Sequence, residues 1–198
     1  ESLFKSVNGN AGNSLLNKGM LVLDSAGVID LDDPDDLYSN TDKAATGITV
    51  NAGVIIKGSK DNQIALSGKD SYRGTPGGSA YVIMNNYGNI DLSGDNSLGI
   101  YTDNGLINNY SGINMTGKNS AGLFGENGSV IVNSGNIVIS DDGVGIYSVS
   151  YQKPDEPAAN YGDGSVNVTN NGTITAKDSE KAAGIYINNN KNGALRSS

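Results

Sequence analysis

The sequence predicts an all-β protein, a right-handed parallel β-helix of about six rungs of about 23 residues each. Three observations predict it. Asn-x-Gly-x-Ile recurs at Asn51–Ile55, Asn86–Ile90, Asn133–Ile137 and Asn170–Ile174, and a fifth copy, Asn109–Ile113, carries Ser111 in the middle. Ile90, Ile113 and Ile137 stand 23 and 24 residues apart, the size of one solenoid unit, and Ile29, Ile55 and Ile174 extend the series at longer steps. Gly and Asn punctuate the chain every few residues while β-branched residues fill the apolar positions, a mixture that disfavours helix and favours short strands.

Each rung reads in the same order. It opens on the Asn turn, because Asn accepts the left-handed backbone that tight turns need. A short strand follows, with apolar residues alternating as in Ile90-Asp91-Leu92, Ile113-Asn114-Met115 and Ile137-Val138-Ile139. Gly-[Ile/Leu]-[Tyr/Phe] marks a second strand at Gly99–Tyr101, Gly122–Phe124, Gly145–Tyr147 and Gly184–Tyr186. A third strand precedes the next Asn, as at Tyr81–Met84, Leu106-Ile107, Val130–Val132 and Val166–Val168. The left-handed alternative requires a six-residue period that this chain lacks. Regular rungs span residues 21–188, with insertions at 32–45, 67–79 and 148–163.

The 198 residues fit one domain. A formal net charge of −8, from 13 basic and 21 acidic residues, with no basic stripe, argues against nucleic acid as a partner. No apolar run is long enough for this segment to insert in a membrane. Cysteine and histidine are both absent. The pattern is already running at Leu21–Leu23 and is still running at Gly184–Tyr186, which predicts a segment of a longer, monomeric solenoid.

Two columns of side chains follow from the repeat. Asn51, Asn86, Asn109, Asn133 and Asn170 are expected to form a ladder, each amide donating to one neighbour and accepting from the other. The ladder is read as structural, against the alternative of a ligand-binding Asn row. Tyr101, Phe124 and Tyr147, flanked by Tyr38 and Tyr186, should stack on an outer face, either as reinforcement of that sheet or as a platform for sugars or proteins. The two larger insertions leave from the same junction of the rung, so they should emerge on one edge. Their Tyr72, Arg73, Tyr151, Lys153 and Tyr161 are the candidate partner-binding residues.

Catalytic motifs are absent. Without His there is no Ser-His-Asp or Cys-His arrangement. Asp141-Asp142 lacks the companions of a polysaccharide hydrolase, and no cofactor motif stands out. The acidic run Asp30–Asp36 is read as a solvated loop. It has carboxylates enough for Ca²⁺ but lacks the Gly and distal Glu of a calcium loop.

The stretch Asn86–Tyr101, echoed at Asn109–Phe124, Asn133–Tyr147 and Asn170–Tyr186, resembles the passenger repeats of type V autotransporters, most of all the large fusobacterial outer-membrane adhesins. That resemblance implies a Gram-negative cell-surface protein, tethered to the outer membrane through a C-terminal β-barrel outside this chain. It implies attachment or coaggregation through a cell-surface protein or glycan on a host or another bacterium. The competing expectations are an inert stalk that presents a distal domain, or a polysaccharide-active β-helix enzyme. No binding residue carries over, because the family's repeat residues are structural.

Overall fold

A computed structural model describes residues 16–17, 20–23, 27–34, 47–69, 82–103, 105–151, 167–191 and 194–195. Almost every described residue lies in a strand or in the turn between two strands, and the strands stack into three sheets. The first sheet runs β1 (Leu16–Asn17), β2 (Met20–Leu23), β4 (Gly47–Val50), β7 (Val82–Asn86), β10 (Gly105–Asn109), β13 (Val130–Asn133) and β16 (Asn167–Asn170). The second runs β3 (Gly27–Asp30), β5 (Val54–Gly58), β8 (Asn89–Leu92), β11 (Ile113–Met115), β14 (Asn136–Ile139) and β17 (Thr173–Ala176). The third runs β6 (Ile64–Lys69), β9 (Leu98–Asp103), β12 (Ala121–Glu126), β15 (Val144–Tyr151), β18 (Ala183–Lys191) and β19 (Ala194–Leu195). From β2 to β18 every pairing is parallel and joins strands of successive rungs, which makes the protein a parallel β-helix. Among the described residues only the two-residue β1 and β19 pair antiparallel, on β2 and β18.

The core is a set of apolar columns along the axis. Ile29, Ile56, Ile90, Ile113, Ile137 and Ile174 stack in register through all six rungs. Leu66, Ile100, Leu123, Ile146 and Ile185 do the same in the third sheet. Each rung covers the one below, so apolar burial accumulates along the axis instead of converging on a centre.

Glycines of the Gly-[Ile/Leu]-[Tyr/Phe] motif follow from this packing. A Cβ on Gly122 would lie 2.7 Å from the Ile137 Cγ2 of the next rung, and one on Gly145 would lie 2.5 Å from that of Ile174. The isoleucine column therefore leaves no room for a side chain there.

One expectation of register is corrected. The anchor of the second rung is Ile56, not Ile55: Ile56 is 1% exposed and pairs with Ile90, while Ile55 is 39% exposed and pairs with Asn89. The third-sheet residue of that rung that faces the core is Leu66, which pairs with Ile100. Insertion boundaries shift as well. Strand β6 continues through Lys69 and β15 through Tyr151, so Ser67–Lys69 and Ser148–Tyr151 belong to strands and not to loops. The common junction holds: both long connections, β6 to β7 and β15 to β16, lead from the third sheet to the first.

Candidate functional site

Inside the solenoid, four asparagines form the expected ladder. Asn86 Nδ2 donates to Asn109 Oδ1 at 2.8 Å, Asn109 Nδ2 to Asn133 Oδ1 at 2.8 Å, and Asn133 Nδ2 to Asn170 Oδ1 at 2.7 Å. The Asn109, Asn133 and Asn170 amides also donate to the carbonyl two residues on, at Ser111, Gly135 and Gly172. That second bond holds the corner closed. Asn86, Asn109 and Asn133 are fully buried, so these amides face no solvent and take a structural role.

Asn51 stands outside this ladder. Its rung presents Val50 at the equivalent place, paired with Asn86. Val50 has no hydrogen-bonding group, and the buried Asn86 Oδ1 is left without a partner.

The corner between the second and third sheets carries a different column. Asn62, Asn96, Asn119, Asp142 and Asp178 all adopt left-handed backbone with φ between 52° and 63°. Asn and Asp are the side chains that tolerate it best after Gly. Asn119 Nδ2 donates to Asn96 Oδ1 at 2.7 Å, and the amides of Asp95 and Lys118 bond the carboxylates of Asp61 and Asp95 in the rung below.

The described half of the acidic run is part of the frame. Asp32 accepts from the Ser59 amide and hydroxyl, the Lys60 amide and Gln63 Nε2, clasping the first rung to the second. Those bonds, from Ser59 first, hold its carboxyl far below the usual carboxylate range. Asp30 meets Lys57 Nζ at 2.8 Å, which lowers the acid and raises the amine. These carboxylates are committed to protein donors, and among the described residues no group of three or more acidic side chains converges as a metal site. Asp35 and Asp36 lie outside the described residues.

On the outer face of the third sheet, the aromatic column is present and longer than three. Tyr101 and Phe124 meet edge to face at 5.4 Å, Phe124 and Tyr147 at 4.8 Å, and Tyr147 and Tyr186 stack at 5.1 Å. Ser67 takes the equivalent place in the second rung. Tyr101 donates to Glu126 at 2.9 Å, and desolvation raises the Tyr147 phenol. Three of the four rings are half-buried by one another, so only Tyr186, 44% exposed, offers much surface. Tyr38 lies outside the described residues.

A second aromatic pair escaped the sequence reading. Tyr87 and Tyr110 stack at 4.7 Å with planes 6° apart, and each is 45% exposed. Both follow a ladder asparagine directly, in successive rungs, and that shared offset was visible in the sequence. Beside them on the outer face of the first sheet, Asn108 Nδ2 donates to Asn85 Oδ1 at 2.9 Å and Asn85 Nδ2 to Thr49 Oγ1 at 3.3 Å.

Of the proposed partner-binding residues, Tyr72, Arg73, Lys153 and Tyr161 lie outside the described residues. Tyr151 is the last residue of β15, where its backbone pairs with Asn190. Comparison of the chain with protein-family models, with curated proteins and with solved structures gives no match.

Proposed function

We propose that this chain is a segment of a bacterial surface passenger that mediates attachment, and that contact is made on its lateral faces while its interior serves only the fold. The observation that carries the reading is the division of labour in the parallel β-helix. The inward Asn amides bond one another from Asn86 to Asn170, and Asn86, Asn109 and Asn133 are closed to solvent. The side chains that can meet a partner face outward, the rings of Tyr87, Tyr110 and Tyr186 among them. The resemblance of the Asn86–Tyr101 repeat to autotransporter adhesins supports the location at the outer membrane and the role in adhesion.

The purified chain should inhibit attachment of the source bacterium to its target cells, with half-inhibition at a fixed concentration of chain. If a folded chain binds no cell and inhibits nothing, the stalk reading replaces this one. Release of reducing ends or unsaturated sugars from polysaccharides would replace it with the enzymatic reading.

A further inference from the structure

We propose that Tyr110, Asn108 and Ser134 form a binding ledge for a neutral hexopyranose, the sugar ring continuing the tyrosine stack by one rung. The ledge deepens the adhesive reading above and rests on it for its biological sense, while its chemistry is tested separately.

Two outer columns end at the same step. The Tyr87–Tyr110 centroids are 4.7 Å apart, close to the rung spacing of about 4.8 Å, so the stack runs along the solenoid axis. One face of Tyr110 is covered by Tyr87. Its other face looks toward the next rung, where Ser134 stands at the equivalent position, its amide bonded to the Asn109 carbonyl. Serine is too short to cover a phenol ring. One position inward along the same face, the Asn85–Asn108 amide column also stops. Above Asn108 lies Val132, which has no polar group to give to Asn108 Oδ1. An open aromatic face and an open acceptor thus stand two residues apart, about 7 Å, over a strand with short side chains.

The chemistry of the ledge selects the ligand. Backbone groups of this inner strand are consumed by parallel pairing on both sides, so a peptide cannot add as a strand. No charged side chain belongs to the ledge, and the chain as a whole is strongly acidic, so an anionic ligand gains nothing. What remains is a flat C–H face for the ring and a hydroxyl to donate to Asn108 Oδ1, with the Ser134 hydroxyl as a second polar contact. A β-hexopyranose offers axial C–H groups on one side and hydroxyls around its rim. Its thickness matches one rung.

The test is a titration of the purified chain with methyl β-glucopyranoside and methyl β-galactopyranoside, followed by the NMR resonances of the tyrosine rings. A single small sugar of this size should bind with a Kd on the order of 1 mM. Tyr110 and Tyr87 should shift, and Tyr186 should not. Tyr110→Ala should weaken binding at least tenfold and Asn108→Ala several-fold. Ser134→Tyr supplies a control that does not depend on losing a side chain: a third ring fills the ledge, so binding should vanish while the melting temperature is kept or raised. No response of the Tyr110 ring to either sugar at about ten times the expected Kd overturns the proposal. Undiminished binding in Ser134→Tyr overturns it, and so does a response to a proline-rich peptide with none to sugar. A sugar-binding chain that fails to inhibit cell attachment would instead sink the adhesive reading and leave the ledge standing.

Discussion

The corner between the first and second sheets is built in two ways, and the two builds divide the solenoid. In the second rung the inward corner residue is Val50, six residues before Ile56; in the first rung Leu23, which pairs with Val50, stands six residues before Ile29. In the later rungs the corner residue is Asn86, Asn109, Asn133 or Asn170, four residues before Ile90, Ile113, Ile137 or Ile174. In the second rung the wide turn closes on its own backbone, Val54 N–H donating to the Asn51 carbonyl, with Gly53 at φ 89°. The tight corner has no such bond and uses the Asn side chain in its place, donating to the carbonyl two residues on. Asn at this corner is therefore tied to turn length. Where two more residues are available the column turns apolar, and rung-to-rung adhesion passes to other groups, of which the Asp32 clasp is the clearest.

The two builds should respond differently to one added methyl group. A Cβ on Gly135, in a tight corner, would lie 1.9 Å from the Ser111 carbonyl oxygen and 2.8 Å from Asn109 Nδ2. Gly135→Ala should cost about 3 kcal/mol or more, because backbone and ladder must both move. Gly53→Ala, in the wide corner at φ 89°, carries the strain of a left-handed alanine and should cost about 1–2 kcal/mol. Urea denaturation of the two variants checks the ranking, and equal midpoints would erase the distinction.

The clasp should show itself in pH dependence. Asp32 titrates near 3.8 when unconstrained and well below that in the folded protein. A depressed carboxyl contributes stability that is whole above its unfolded value and lost as pH falls through the folded one. Melting temperature should therefore be flat above about pH 5 and fall below about pH 4. Asp32→Asn should melt lower at neutral pH and lose less on acidification, with a residual slope from Asp30, whose carboxyl Lys57 also depresses. A variant that parallels the parent curve at every pH would remove Asp32 from the account.

The smallest effect is expected at the junction of the two builds. Val50→Asn loses buried apolar surface but offers a donor to the orphaned Asn86 Oδ1, so stability should change by no more than about 1 kcal/mol. The same kind of change at Ile131, which has no such neighbour, should cost about 3 kcal/mol or more. A Val50→Asn as damaging as Ile131→Asn would mean that Asn86 Oδ1 lacks nothing.

The fold was legible because its determinants are local and repeated: six isoleucines, four ladder asparagines and a glycine motif whose spacing is fixed by stacking. Asn51 misled because an Asn-rich turn reproduces the pentapeptide by composition, while the register is set by Val50 and Ile56, which the pattern ranks lower. The left-handed column at Asn62, Asn96, Asn119, Asp142 and Asp178 is legible in principle, since Asn or Asp recurs there at the rung spacing. Tyr87 and Tyr110 stand out less than the longer aromatic column, since sequence alone does not say which rings bury one another. Tyr72, Arg73, Lys153 and Tyr161 sit in insertions, where no repeat constrains position.

The tight corners stand on a buried amide ladder and the wide corner of the second rung does not. Denaturation midpoints of Asn109→Ala and Asn51→Ala, measured side by side, separate the two corners. Removing Asn109 leaves Asn86 Nδ2 without its Oδ1 acceptor and Asn133 Oδ1 without its donor, both buried, so the loss should be about 2–4 kcal/mol. Asn51→Ala should fall within about 0.5 kcal/mol of the parent. Equal losses in the two variants, or none in Asn109→Ala, would contradict the account.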